Sequence, residues 1–141
     1  MAGWIIYALL SAIFAALTAI LAKIGVKDVN SNLATAIRTI VILIFAWGIV
    51  LMQGTSKQIF SISKTALIFL VLSGVATGLS WLFYFRALQL GKASLVAPID
   101  KLSLVLTIIF AALFLKEKIS LTVAFGAVLM TLGTIIIALA K

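Results

Sequence analysis

Cysteine and histidine are both absent from this 141-residue sequence. No disulfide framework and no thiolate chemistry can therefore exist. Only Asp28, Asp100 and Glu117 are acidic, so a metal site or a hydrolase-type triad would have almost nothing to be built from. The same shortage argues against an enzyme acting on lipid. No phosphate-binding loop or nucleotide domain occurs, so no nucleotide-driven step is expected of this sequence. No metal or cofactor is expected. Charge is scarce as well: 10% of residues are Asp, Glu, Lys or Arg, against about a quarter in a soluble domain. A core of this length in water would need a polar shell, and the sequence cannot supply one.

Five apolar runs fill the chain, at 4–22, 33–52, 66–85, 94–115 and 121–140. Each has roughly the 20 residues that an α-helix needs to cross about 30 Å of hydrocarbon. Transmembrane β-strands would alternate apolar and polar residues over about ten positions, and these runs are continuous. The expected fold is all-α and integral to the membrane: a five-transmembrane-helix bundle forming one domain over 1–141, multi-pass in the cell membrane, with the lipid bilayer as solvent. The connections at 23–32, 53–65, 86–93 and 116–120 are too short for a soluble domain and imply an up-down path. Met-Ala-Gly-Trp carries no basic side chain ahead of the first run, unlike a signal peptide, so that run is expected to be retained. Trp4, Tyr7 and Trp47 stand near run ends, where amphipathic rings favour the headgroup boundary.

The net charge of +8 does not point to nucleic acid, because the basic residues are spread through every loop rather than gathered in a patch. Five crossings put the termini on opposite sides. One side then carries Lys57, Lys64, Lys116, Lys118 and the terminal amine, the other Lys23, Lys27, Arg86, Lys92 and Lys141. Orientation follows the lysine and arginine difference, and here the loop charges nearly balance. Embedded Arg38 and Lys101 tip the second side toward the cytoplasm when they are counted. Two readings stay open: one fixed orientation with a weak bias, or dual insertion and an antiparallel homodimer. Small residues allow helices to approach closely in lipid. Ala8, Ala12 and Ala16, the pair Gly74 and Gly78, and the pair Gly126 and Gly133 are expected to pack within one bundle, although one of these faces could serve a dimer.

The polar groups inside the runs are the candidate site. Arg38 lies about 8 Å into the second run at 1.5 Å per residue. A charge at depth costs at least a few kcal/mol unless it is paired, wetted or able to snorkel. Asp100 and Lys101 sit at similar depth in the fourth run, after Pro98, which is expected to open the first helical turn and free carbonyls. An Asp100–Arg38 pair would leave Lys101 free for a substrate or headgroup. Thr77, Ser80, Trp81 and Tyr84 recur at i, i+3, i+4 and i+7, hence on one helix face. That stripe reads either as packing with an interfacial anchor or as the wall of a substrate cavity. Gln89 and Lys92 fall beyond the third run and are expected to be solvated. Glu117, between Lys116 and Lys118, suits local charge pairing at a tight corner.

These residues resemble a known pattern. Lys23-Ile24-Gly25, Arg38, the stretch from Tyr84-Phe85-Arg86-Ala87-Leu88-Gln89-Leu90-Gly91 through Ala97-Pro98, and Leu115-Lys116-Glu117 followed by Gly126 and Gly133 are similar to the EamA-like domain of the drug/metabolite transporter superfamily. The resemblance covers essentially the whole chain, and 84–98 is its most specific part. Leu102-Ser103 is followed by Leu104 where the usual pattern has proline, as in the five-helix subgroup, and Lys116 replaces the usual glycine before Glu117. Larger members carry two such domains as a ten-helix inverted repeat. The resemblance implies that this chain is one half of such a transporter, completed by a second copy set antiparallel. Inverted repeats hold substrate near the bilayer midplane and expose it alternately to each side. The expected function is a secondary, gradient-driven carrier of a small polar or amphipathic metabolite. Arg38, Asp100, Lys101, Thr77, Ser80, Trp81 and Tyr84 would bind the substrate, and two cations against one anion favour a negatively charged one. The alternative is a non-transporting membrane subunit or assembly partner.

Overall fold

The computed structural model describes residues 3–140; the terminal amine and Lys141, counted in the charge balance, lie outside the described residues. Six α-helices account for most of these: α1 Gly3–Gly25, α2 Ser31–Met52, α3 Lys64–Leu90, α4 Ala93–Asp100, α5 Leu102–Phe114 and α6 Leu121–Leu139. A 3-10 turn at Ser56–Ser61 interrupts the longest connection. Helix α4 and helix α5 are consecutive parts of one apolar segment, so five segments are long and apolar enough to cross a membrane. Helices are the outcome because hydrocarbon offers the backbone no partner, and an α-helix satisfies its own amides.

Helix ends follow local chemistry. The Asn30 side chain caps α2, accepting from the amides of Asn32 at 2.9 Å and Leu33 at 3.3 Å. Ser120 caps α6 through the Val123 amide at 3.3 Å. At the far end of α2, Gly54 takes a φ of +68°. Its amide donates to Leu51 O at 3.1 Å, and the Thr55 amide donates to Val50 O at 3.2 Å. This is the Schellman closure, which needs a left-handed residue after the helix. Lys116, just beyond α5, also has positive φ, at 54°. The position at which the chain departs from the family pattern is therefore one where glycine would be unstrained.

The chain forms two compact units, the first running through Leu90 and the second beginning at Gly91. In the first, α3 packs against both α1 and α2. Its core lies at one end, where Ala19, Ala22, Val26, Phe85 and Leu88 are buried. In the second unit α6 packs against α4 and α5, and Thr134 on α6 is buried, its hydroxyl 3.5 Å from the Pro98 carbonyl.

Three expectations are corrected here. Pro98 lies inside α4, not in its first turn. It lacks an amide hydrogen, so the Ser94 carbonyl loses its usual donor. The helix breaks at Lys101, whose amide reaches Ala97 O at 3.3 Å and Pro98 O at 3.1 Å; the backbone tightens there rather than opening. Helix α3 does not stop at residue 85, because Arg86-Ala87-Leu88-Gln89 are good helix formers and Leu88 is fully buried. The small-residue faces make no close approach within either unit. A Cβ added at Gly74, Gly78, Gly126 or Gly133 would meet no heavy atom within 4 Å, and Ala8, Ala12 and Ala16 are exposed.

Non-glycine residues in the left-handed region cost about 1–2 kcal/mol, part of which glycine loses to its greater unfolded-state freedom. Lys116→Gly is accordingly expected to stabilise the protein by about 1 kcal/mol, and Gly54→Ala to destabilise it by a similar amount. Thermal unfolding in detergent, read by circular dichroism, checks both signs.

Candidate functional site

Helix α2 starts at Ser31, so Arg38 lies about 10 Å along it at 1.5 Å per residue. Its guanidinium carbon sits 4.5 Å from the centroid of the Phe85 ring and 5.0 Å from that of Trp81. Trp81 and Phe85 are one turn apart on α3, and Phe85 is buried. Ring quadrupoles attract the cation, by about 0.5 kcal/mol at exposed sites to about 2 kcal/mol when desolvated. They accept no hydrogen bond of ordinary strength, and Arg38 Nη1 is buried with no hydrogen-bond partner among the described residues. An unmet buried donor costs about 1–3 kcal/mol, and more on a charged group.

Beside the guanidinium is a cavity of about 360 Å³. Thr18, Leu21 and Ala22 of α1, Ile37 and Arg38 of α2, and Phe85 of α3 line it, with Val26 and Val29 of the α1–α2 loop at its end. Apart from Arg38 and the Thr18 hydroxyl, these side chains are apolar. Its size is at the lower end of the roughly 300–1,000 Å³ typical of small-molecule sites.

A polar clamp closes this end of the unit. Gln89 Nε2 donates to the Val26 carbonyl at 3.2 Å and to the Val29 carbonyl at 3.0 Å. Arg86 Nη1 donates to Gln89 Oε1 at 2.7 Å. Lys23 Nζ donates to the Leu88 carbonyl at 2.6 Å, tying the end of α1 to α3. Gln89 is therefore not solvated as its distance beyond the apolar run implied; it is half-buried and holds the cavity's loop in place.

The structure thus brings Arg38 together with Trp81, and both with Phe85, which the hydropathy pattern did not single out. Tyr84 is half-buried, its ring edge-on to Phe85 at 6.3 Å between centroids. Thr77 and Ser80 are exposed farther back on α3; the Thr77 hydroxyl donates to the Ser73 carbonyl of its own helix at 2.8 Å. In the second unit, Lys101 Nζ lies 3.6 Å from Asp100 Oδ2, so Asp100 takes its sequence neighbour as ion-pair partner and Lys101 is not left free. A second, apolar cavity of about 490 Å³ lies between α5 and α6. Thr131 on its wall donates to the Ala127 carbonyl at 2.9 Å. Among the described residues no group of three or more acidic side chains could hold a metal ion.

Comparison with known proteins places this geometry in a family. The model of the EamA-like transporter family matches residues 2–139. The chain belongs to the EamA-like transporter family. An uncharacterized transporter encoded in the cobO 3′ region of a Sinorhizobium species is 50% identical over 136 residues, covering 96% of each chain. An uncharacterized protein of Methanocaldococcus jannaschii is 31% identical over 85 residues, which is 60% of this chain and 62% of that one. No solved structure matches significantly. This EamA-like protein is a multi-pass membrane transporter, a class distinct from enzymes. The stretch 84–98, on which the resemblance in sequence rested most, contains Phe85 on the cavity wall and Gln89, which ties down the loop at its end.

Each neutral hydrogen bond contributes about 1 kcal/mol net. Gln89→Leu removes two bonds to loop carbonyls and the acceptor for Arg86, and is expected to destabilise by about 2 kcal/mol. Gln58→Leu, in the exposed 3-10 turn, is expected to stay within about 0.5 kcal/mol of wild type. Denaturant unfolding of both variants in the same detergent tests the difference.

Proposed function

We propose that this transporter is a secondary, gradient-driven carrier of a small polar or amphipathic metabolite, working in the cell membrane as an antiparallel homodimer by alternating access. The observation that carries the reading is a cation within an apolar membrane segment, set on the wall of a cavity of small-molecule size. Charges inside membrane segments mark substrate pathways unless packing alone explains them, and here packing leaves a buried guanidinium nitrogen unmet. The Sinorhizobium relative, an uncharacterized transporter of matching length, agrees with this.

The dimer rests on three supports. Five crossings make two such domains joined in tandem inverted with respect to each other, and two separate copies reach the same arrangement by pairing antiparallel. The loop charges nearly balance across the two sides, so neither orientation is strongly favoured. Glycine pairs on α3 and α6 lie open, as faces awaiting a second helix do. Asp100 and Lys101, near the α4–α5 break, would then form part of the path in each copy, with Asp100 the one carboxylate placed for proton coupling.

The open glycine faces also suit a non-transporting assembly partner, and one experiment separates the two. Purified protein is screened for metabolites that raise its thermal stability, and the hits are assayed for uptake into proteoliposomes. A carrier loses at least about tenfold in uptake, or about 1.4 kcal/mol, in Arg38→Ala and in Asp100→Asn. An assembly partner shows no uptake and tolerates both changes. Reporter fusions at the carboxy terminus are expected to be active on both sides of the membrane; activity on one side alone overturns the antiparallel arrangement.

A further inference from the structure

We propose that the cavity between α1 and α2 is an oxyanion site, and that its ligand carries one carboxylate or phosphate group on an apolar body. This deepens the carrier reading and rests on it for calling the ligand a substrate.

The argument starts from the partners that Arg38 lacks. A guanidinium has five N–H donors and no acceptor, and an embedded arginine is ordinarily paired with a carboxylate or with carbonyls. Arg38 is the exception: among the described residues its cation rests on two aromatic rings, and its Nη1 has no acceptor. The chain holds three acidic residues, and the one ion pair among the described residues joins Asp100 to Lys101. Within its own unit, the positive charge that borders the cavity is therefore not neutralised by an acid.

The cavity supplies the second half. It places Leu21, Ala22, Ile37 and Val26 around the same space as Arg38. No acidic side chain is on its wall, so a cationic ligand would meet only repulsion and apolar surface. A fully polar anion such as inorganic phosphate would leave most of that wall in contact with nothing it can bind. An amphipathic anion satisfies both parts. Its oxygens take the planar fork of the guanidinium, which matches carboxylate and phosphate geometry, and its hydrocarbon fills the apolar part. The Trp81 and Phe85 rings hold the cation while the site is empty, and the entering anion draws it off them. Trp81 is thereby a reporter of occupancy built into the site.

The experiment uses the full chain with Trp4→Phe and Trp47→Phe, which leaves Trp81 as the single tryptophan, in nanodiscs of zwitterionic lipid at neutral pH. Trp81 emission is titrated with octanoate, octanol and octylammonium, which share one apolar body and differ in charge. The expected result is a saturable change with octanoate at a concentration at least about tenfold below that of either isostere. Arg38→Met is expected to bring octanoate to the level of octanol, and Arg38→Lys, which keeps the charge without the fork, to weaken it several-fold. Octanol matching octanoate in the wild-type background overturns the proposal without any Arg38 variant. So does an octanoate response that Arg38→Met leaves unchanged.

A parallel titration in nanodiscs containing phosphatidylglycerol separates the two sources of such an anion. An Arg38-dependent change caused by that lipid alone, and competing with octanoate, supports the site and identifies a headgroup as the ligand. Absence of that change beside a normal octanoate response supports it with a free solute. Proteoliposome uptake keeps the two readings apart. Charge-selective binding without transport removes the carrier and leaves the site, whereas transport with no anion preference that Arg38→Met does not alter removes the site together with Arg38's role in uptake, and leaves transport by another path.

Discussion

Hydrocarbon provides no hydrogen bonds, so each polar group carried into it must be answered from within the protein. This structure meets that demand almost everywhere by the shortest route. The hydroxyls of Thr35, Thr39, Thr77, Thr107 and Thr131 each donate to the carbonyl four residues earlier on their own helix. That habit leaves threonine electrically quiet in a membrane segment and turns attention to the groups that cannot do the same. Arg38 is too long and too highly charged to return to its own helix, and it meets two rings instead. The candidate site lies where the general solution fails.

The clamp at the end of α3 belongs to the same logic. A loop near the hydrocarbon boundary exposes carbonyls that water reaches only in part. Gln89 answers two of them, and Lys23 answers the last-turn carbonyl of Leu88. Burial of Val26, Phe85 and Leu88 depends on that closure, since all three lie where α1, its loop and α3 converge. Elsewhere the helices of each unit present large apolar side chains outward, as lipid or a neighbouring chain requires. The candidate site is thus held together at one end, by a few hydrogen bonds to backbone oxygens.

The membrane-crossing segments were legible in the sequence because continuous apolar length is a sufficient signal, and all five appear close to where hydropathy put them. The depth of Arg38 and the shared helix face of Trp81 and Tyr84 were legible for a similar reason: one follows from counting residues along a helix, the other from its period. That Arg38 rests on Trp81 was not legible, because the charge pattern pointed it at Asp100. What hydropathy could not mark is where a helix ends when its last turn is polar. It stopped the third run at Phe85, although the helix continues to Leu90, and Gln89 was consequently assigned to solvent. Pairing was equally hidden. Adjacent side chains on a regular helix diverge by about 100°, which argues against an Asp100–Lys101 contact, but the helix is not regular at Lys101. Proline announced the interruption and misplaced it by three residues. The replacement of glycine by Lys116, visible as a departure from a family pattern, acquired its physical meaning only with a backbone angle.

The extra turn on α3 has one more consequence. Its apolar stretch is already long enough to fill the hydrocarbon, so the five residues 86–90 carry the helix about 7 Å further, into the layer of headgroups and bound water. Val26 and Val29, which end the cavity, are tied to that turn. The clamp that closes the cavity end therefore lies beyond the apolar part of α3, where polar groups meet water rather than hydrocarbon.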